Sequence, residues 1–256
     1  MPRRIAITRG VSPAISRCEL THLRRRAIDL QRAAAQHGEY EDALEALGCR
    51  LHRLPVEPDL PDSVFVEDAA VVLDEVALIA RPGATSRRAE TESVAAALEP
   101  LRTLRRIRAP ASLDGGDILR VERMVFVGLS GRTNEQARDR LRELLEPYGY
   151  EVRCVDVHGC LHLKSAVTQV AEATLLINPA LADPAAFAPF RCIEVDPSEP
   201  AAANALLVGE QVIFPAAFAE TGRRLERDGI TVRTVDISEL AKAEGGVTCC
   251  SLILEG

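Results

Sequence analysis

One unit of chain recurs along the sequence and constrains the fold more than any other feature. Each unit contains a helical stretch, a turn, a short β-branched strand, a polar segment and a hairpin. Successive units are 51, 48, 40 and 40 residues apart, measured between the strand residues Val56, Ile107, Val155, Val195 and Val235. A unit that recurs at this spacing predicts a repeat architecture in which neighbouring units share a core.

Four hairpins are predicted where two apolar runs flank a short polar turn, at residues 69–80, 118–128, 166–178 and 205–215. A fifth hairpin is split, since "SLILE" at the C-terminus has its partner in "RRIAIT" at the N-terminus. Pairing of these two segments closes the ring. The predicted fold is therefore a five-bladed, pseudo-symmetric α/β propeller, closed by the N- and C-terminal strands and forming a single domain over residues 1–256.

Composition and charge exclude several classes of protein. The chain carries a formal net charge of −7, which argues against nucleic acid or an anionic membrane as the main partner. No stretch is long and apolar enough to span a bilayer, and the start does not resemble a signal peptide, so we expect a cytoplasmic protein. The seven cysteines form no C-x-x-C pair, and the histidines show neither H-x-x-H nor H-E-x-x-H spacing. We expect reduced thiols, no metal and no cofactor.

Five polar or glycine-rich segments follow the five marker strands at the same phase of the repeat. They are residues 61–68, 112–117, 159–165, 200–204 and 244–250. In a closed ring, equivalent segments converge on the axis. The functional site is therefore predicted there.

Three of these segments supply the parts of a nucleophilic apparatus. Cys249 is the candidate nucleophile, His162 the candidate acid or base, and Asp114 the group that orients the imidazole. Each residue also has an ordinary structural interpretation, as a buried thiol, a core histidine and a turn carboxylate. Their shared repeat phase favours the catalytic interpretation.

Other charged residues suggest a site for a cation that also carries a carboxylate. The acids Asp62, Glu67 and Asp68 flank an apolar strand, either as a solvated rim or as a cradle for a guanidinium. Candidate clamps for a carboxylate are Arg87, Arg88 and Arg132, although each is equally typical of an exposed surface. The segment 8–22, with Gly10 and Pro13, is consistent with either a mobile lid or a plain connection.

Several motifs together resemble those of one enzyme family. They are "LPDSVFVED", "ARPGATSRR", "LDGGD", "VGLSGRTN", "LHLKS", "AAN" and "TCCS". From about residue 50 to the C-terminus they are similar, in order and spacing, to the motifs of the dimethylarginine dimethylaminohydrolases. This family has the five-bladed α/β propeller (pentein) fold.

The resemblance implies an activity and a role for each site residue. It implies hydrolysis of dimethyl- and monomethylarginine to citrulline and methylamines, through a covalent intermediate on Cys249, with His162 and Asp114 completing the catalytic set. Substrate contacts are implied for Leu20, Asp62, Glu67, Asp68, Arg87, Arg132, Ala243 and Glu244. The implied partner is a small-molecule substrate, with no cofactor and a monomeric or homodimeric state.

The sequence departs from the family at the pair Ala243 and Glu244, where an aliphatic residue and aspartate are common. The preferred N-substituent of the substrate therefore stays open. One alternative is an arginine deiminase-like enzyme, although such enzymes typically read His-Leu-Asp where this chain has Lys164. An agmatine deiminase would not need the carboxylate-binding arginines. A non-catalytic, ribosome-binding propeller would not need the catalytic set.

Overall fold

A computed structural model describes residues 4–255, which form fifteen strands and six α-helices. The strands are β1 (Ile5–Arg9), β2 (Arg50–Leu54), β3 (Ala70–Val72), β4 (Val76–Ile79), β5 (Thr103–Arg106), β6 (Ile118–Val121), β7 (Met124–Leu129), β8 (Glu151–Asp156), β9 (Val167–Ala171), β10 (Thr174–Ile177), β11 (Arg191–Glu194), β12 (Leu206–Val208), β13 (Gln211–Pro215), β14 (Thr231–Val235) and β15 (Leu252–Leu254). The helices are α1 (Leu30–Ala46), α2 (Thr91–Leu98), α3 (Glu135–Leu145), α4 (Leu163–Ala166), α5 (Ala219–Arg227) and α6 (Ser238–Ala241).

The strands of residues 4–255 form five three-stranded sheets with one topology. Their orders are β15-β1-β2, β3-β4-β5, β6-β7-β8, β9-β10-β11 and β12-β13-β14, here called blades one to five. In each blade the first two strands are antiparallel and the last two are parallel. The middle strands β1, β4 and β10 are buried along their whole length. Strands buried on both faces require nearly continuous apolar runs, which the sequence provides.

Blade one joins the two ends of the chain, as predicted. Strand β15 pairs antiparallel with β1, with Ile5 opposite Leu254 and Ile7 opposite Leu252. Arg3, at the start of the predicted N-terminal strand, lies outside the described residues. The four predicted hairpins and the five marker strands are also confirmed.

The connection between the parallel strands of a blade is an α-helix in four blades but not in the fourth. Helix α3 begins after Asn134, whose side chain accepts a hydrogen bond from the Ala137 N–H. In blade four the expected helix is replaced by one 3-10 turn, Pro184–Phe187. The prediction of a helix in every unit is therefore wrong there, because prolines at 179, 184 and 189 prevent a longer helix in this short connection.

Apolar side chains fill the space between adjacent blades. Between blades one and two, for example, Ile7 and Leu54 belong to the same buried cluster as Ile79, Val94 and Leu98. Equivalent clusters join the other neighbouring pairs of blades, including the fifth and the first. The ring is thus held by shared cores, and the segments that follow the third strand of each blade turn inward to the axis. Within the described ranges, no helix is both long and apolar enough to cross a membrane.

Two glycine substitutions are expected to affect stability in opposite directions. A Cβ on Gly115 would overlap with the Glu67 carbonyl oxygen. Gly115→Ala must therefore push apart the segments 61–68 and 112–117, which are in contact here. We expect a loss of about 3 kcal/mol in the free energy of unfolding. A Cβ on Gly38 in helix α1 would meet nothing within 4 Å, so Gly38→Ala is expected to stabilise the protein by about 0.5–1 kcal/mol. Urea denaturation of both variants measures the difference. Equal midpoints would contradict this account of the inner contacts.

Candidate active site

Two adjoining cavities share Cys249 and His162 as lining residues. They lie among the five segments that follow the marker strands, here called the inner segments, which are residues 61–68, 112–117, 159–165, 200–204 and 244–250. The first, here called the narrow cavity, has a volume of about 20 Å³ and is lined by residues including Asp62, Arg87 and Arg132. The second, called the wide cavity, has a volume of about 450 Å³ and extends towards blades four and five. The predicted convergence of these segments on one site is therefore present in the structure.

His162 and Asp114 form a buried pair. The Nε2 atom of His162 lies 3.1 Å from Oδ2 of Asp114, and both side chains are almost fully buried. The Asp114 carboxylate is fixed in turn by the backbone N–H of Gly83, which donates to Oδ1 at 2.9 Å. Because Asp114 occupies Nε2, the other ring nitrogen of His162 is available for chemistry.

Carboxylates around His162 favour its protonated form. Burial alone would lower the pKa of the imidazole, but the charges of Asp68, Asp114 and Asp117 outweigh it and raise the pKa to about 9. The Nδ1 atom lies 3.8 Å from Oδ1 of Asp68. Glycine is required beside them, since a Cβ on Gly116 would lie 2.6 Å from Nδ1. At neutral pH the imidazole is therefore a proton donor that faces the cavities.

Cys249 lies on a turn just before β15. Its Sγ accepts a hydrogen bond from the Gly246 N–H at 3.3 Å and lies 4.0 Å from Oγ1 of Thr248. Burial and the nearby carboxylates of Glu67 and Asp68 raise the pKa of the thiol to about 12. The neighbouring Cys250 points away, into the core between blades five and one. The site thus holds a neutral thiol until a cation arrives.

Glu67 is held in place from two sides. Its Oε1 accepts a hydrogen bond from Lys164 Nζ at 2.6 Å, and its Oε2 accepts one from Thr248 Oγ1 at 2.7 Å. The Glu67 backbone N–H also donates to the Cys249 carbonyl. The Glu67 carboxylate and Cys249 are therefore fixed relative to each other.

Asp68 pairs with Arg87, which the sequence does not predict. Arg87 Nη1 lies 2.6 Å from Asp68 Oδ2, and the other side of the guanidinium binds Glu90 at 2.8 Å through Nη2. The Arg87 and His162 charges overcome the effect of burial and lower the pKa of Asp68 to about 2. Asp68 therefore stays ionised, while most of the Arg87 donors are already engaged. Arg88, in contrast, donates to the Pro82 carbonyl.

The segment over the narrow cavity is bound to the site by several polar contacts. Both carboxylate oxygens of Asp62 accept from the Glu19 N–H, at 3.2 and 3.1 Å. Arg132 donates to Oγ1 of Thr21 at 3.1 Å and lies 3.6 Å from Asp114. Leu20 is half-buried and packs against the core between blades five and one.

Glu244 also contacts this segment, through its side chain. Its carboxylate accepts hydrogen bonds from three consecutive backbone N–H groups, those of Thr21, His22 and Leu23, at distances of 2.6 to 3.2 Å. Its backbone is left-handed, with φ = 61°. Ala243 is buried and lines the narrow cavity. The carboxylate of Glu244 therefore fixes the loop 19–23 over the site.

Removing the Glu244 carboxylate is expected to free that loop. Three arginines, Arg24 to Arg26, follow directly and provide trypsin sites. In Glu244→Ala the three N–H donors lose their shared acceptor, so cleavage in native conditions should be at least fivefold faster than in the wild type. Limited proteolysis followed by mass spectrometry measures the rate. The control is Glu143→Ala, on an exposed face of α3, and equal rates for both variants would contradict this role of Glu244.

One group of side chains has the spacing of a metal site. Each of Asp68, Asp114 and His162 offers one ligand atom, and these atoms lie within 4.8 Å of one another. Two guanidinium groups lie against the same two carboxylates, Arg87 at 2.6 Å from Asp68 and Arg132 at 3.6 Å from Asp114. A divalent cation would have to overcome both positive charges. The arrangement suits proton transfer by His162 better than metal binding.

Four further residues contribute to the site without having been predicted. Asp117 accepts from the Leu163 N–H at 3.0 Å and thereby holds the backbone next to His162. Asn204 binds both the Lys164 carbonyl and Thr248 Oγ1. Thr248 donates a hydrogen bond to Glu67, and Glu90 pairs with Arg87. In the sequence, the position of Asp117, Asn204 and Thr248 within the inner segments is the one feature that indicates a role in the site. No sequence feature indicates such a role for Glu90.

Comparison with known proteins gives consistent matches over almost the whole chain. A family model described as N,N dimethylarginine dimethylhydrolase, eukaryotic, matches residues 18–182. The N(G),N(G)-dimethylarginine dimethylaminohydrolase of Streptomyces coelicolor is 40% identical, and the alignment covers 99% of this chain and 98% of that protein.

Two solved structures extend the comparison to the fold. The first is a cysteine-to-serine mutant of the dimethylarginine dimethylaminohydrolase from Pseudomonas aeruginosa, complexed with citrulline. It is 33% identical, with a TM-score of 0.94, and the match covers 99% of this chain and 100% of that one. The N-terminal domain of a cyanobacterial arginine dihydrolase, at 18% identity and a TM-score of 0.84, shares the fold alone, over 98% of this chain and 97% of that one. The five-bladed α/β propeller is thus confirmed, and the chain belongs to the dimethylarginine dimethylaminohydrolase family.

Proposed function

We propose that this protein hydrolyses Nω-methylated arginines, both dimethyl- and monomethylarginine, to citrulline and methylamines. The observation that carries the proposal is the meeting of Cys249, the His162–Asp114 pair and two ionisable acids at one buried point of a chain of this family. The Streptomyces relative is named for the dimethylarginine reaction, and the Pseudomonas relative binds citrulline.

The substrate guanidinium binds between the acids and the nucleophile. Its charge is permanent, since an arginine-like group has a pKa above about 12. Glu67 and Asp68 both lie close enough to Cys249 to raise the pKa of the thiol, and they therefore attract a cation to that place. When it binds, the guanidinium offsets these charges and favours the thiolate. The nucleophile is thus activated by the substrate itself.

The α-amino acid end lies in the narrow cavity. Asp62 provides a carboxylate for the ammonium group, next to the loop that carries Leu20. Arg132 is the main donor to the substrate carboxylate. Among the described contacts of Arg87, Nε binds Glu90, Nη2 binds Glu90 and two carbonyls, and Nη1 binds Asp68. Of the five N–H donors of Arg87, one on Nη1 is left for the substrate.

The reaction proceeds in two steps. The Cys249 thiol loses its proton to solvent as the guanidinium binds. The thiolate attacks the guanidino carbon, and the bond to the methylated nitrogen breaks as the His162 imidazolium gives it a proton. This leaves a thiouronium on Cys249 and a neutral imidazole. That imidazole then takes a proton from water, and the hydroxyl adds to the same carbon. The C–S bond breaks as the hydroxyl proton passes to the Cys249 sulfur, which releases citrulline and restores the thiol. The groups on this chain are sufficient without a metal or an organic cofactor.

Residues from several blades contribute to this one site, which supports our prediction of a single domain over residues 1–256.

An arginine deiminase is not favoured, because Lys164 is paired with Glu67 where those enzymes typically have an aspartate.

One assay tests the proposed function. Purified protein receives asymmetric dimethylarginine, monomethylarginine and arginine at equal concentration, and citrulline and the released amine or ammonia are followed together. We expect turnover of both methylated substrates and none of arginine. Turnover of arginine alone would identify a deiminase. No citrulline from any of the three would refute the proposal.

A further inference from the structure

The wide cavity extends from the reactive pair away from the groups that bind an amino acid. Cys249 and His162 line both cavities, whereas Asp62, Arg87 and Arg132 line the narrow one. A substrate with its α-carbon in the narrow cavity and its guanidino carbon at Cys249 therefore directs its distal nitrogens to the wide cavity. The substituent on the departing nitrogen enters it first.

The volume of the wide cavity exceeds what two methyl groups need. At about 450 Å³ it falls within the range of roughly 300–1,000 Å³ that is typical of pockets for drug-sized ligands. The narrow cavity, measured in the same way, has about 20 Å³. The space beyond the reactive pair is therefore far larger than the space between the groups that bind the amino acid end.

The walls of the wide cavity favour an apolar substituent. Its apolar lining residues include Leu181, Pro200, Phe218 and Ile237, from the connecting segments of blades four and five. Its charged groups are already paired among the described residues, since Lys164 and Glu67 bind each other at 2.6 Å and Glu244 binds the loop. A charged substituent would find no free partner in these pairs, whereas an apolar one gains contact.

We propose that this enzyme also hydrolyses arginines that carry one large apolar Nω substituent, with Nω-benzyl-L-arginine as the test case. The proposal rests on the proposed function and extends its substrate class. The C–N bond to benzylamine breaks as His162 protonates the amine, and one water completes the hydrolysis, so that citrulline and benzylammonium are the products. The benzyl group lies in the wide cavity during the reaction.

The test compares Nω-methyl- and Nω-benzyl-L-arginine, with citrulline and the released amine both measured. Two exposed alanines of the wide cavity, Ala201 and Ala241, allow it to be narrowed with Ala201→Phe and Ala241→Phe. The matched control is Ala35→Phe on the exposed face of α1. We expect wild-type kcat/KM for the benzyl substrate within about tenfold of that for the methyl substrate. The two cavity variants should lose at least tenfold on the benzyl substrate and at most about twofold on the methyl substrate.

Each other outcome has a definite meaning. Hydrolysis of the methyl substrate without the benzyl substrate overturns the inference and leaves the proposed function intact. Equal benzyl hydrolysis in the wild type and both cavity variants overturns the assigned place of the substituent. Failure on both substrates refutes the proposed function, and this inference with it.

Discussion

Replacing Cys249 by serine is expected to lower kcat for methylated arginines by on the order of 10⁴-fold or more, as removal of a nucleophile does in other covalent hydrolases. A serine hydroxyl is far less acidic than a thiol, and the acids that hold the guanidinium oppose its ionisation further. A substrate charge that is sufficient to produce a thiolate is not sufficient to produce an alkoxide. Citrulline release by the purified variant measures the loss.

The neighbouring cysteine provides the matched control. Cys250 lies one residue further along the chain, but its side chain is in the core, so Cys250→Ala should keep turnover within about tenfold of the wild type. Acid quenching during turnover, followed by mass spectrometry, should show the substrate-derived adduct on the wild type and on Cys250→Ala but not on Cys249→Ser. An adduct on another residue, or comparable losses in both variants, would contradict the assignment of the nucleophile.

The fold was predictable because a repeat leaves its period in the chain even where its units differ. The marker strands and hairpins repeat their apolar runs, and burial on both faces of a middle strand such as β4 requires such runs. The crossover of blade four does not follow from the period. This crossover need only connect the parallel strands β10 and β11, and a single 3-10 turn that begins at Pro184 is sufficient for that connection.

The site was predictable as a meeting of segments but not as a set of contacts. Repeat phase brings Cys249, His162 and Asp114 to one axis, and the predicted pairing of Asp114 with His162 is present in the structure. The phase does not specify the partners of the other charged residues. Arg87 illustrates the limit. Its sequence position suggests a carboxylate clamp, yet burial requires its charge to be neutralised within the protein, and Asp68 and Glu90 do so.

Glu244 shows a second limit, since its role depends on backbone geometry rather than on residue type. From the sequence it is an acid close to Cys249 and an implied substrate contact. Its left-handed backbone directs the carboxylate to three N–H groups of the loop 19–23 instead. Loop amides that converge on one acceptor leave no pattern in composition or spacing.

Replacing His162 by asparagine is expected to lower kcat by about 10²–10⁴-fold, because the departing amine then loses its proton donor. The pH dependence of the wild type identifies the donor. The raised pKa of the imidazole, about 9 in the free enzyme, keeps it protonated at neutral pH. We therefore expect kcat to decline only at alkaline pH, by about tenfold per pH unit once His162 has lost its proton in the substrate complex. Substrate turnover between pH 6 and 10.5 measures this decline, which should be missing in His162→Asn.

The variant Asp117→Asn tests whether the alkaline decline of kcat depends on the pKa of His162. Asp117 is not among the residues proposed to contact the substrate. Its carboxylate is among those that raise the pKa of His162, and Asp117→Asn keeps an oxygen to accept from the Leu163 N–H. Loss of the negative charge favours the neutral imidazole, so the alkaline decline of kcat should begin at lower pH than in the wild type. A purely structural role would lower kcat at every pH and leave the onset of the decline unchanged. A decline that moved to higher pH would mean that His162 is not the group that titrates.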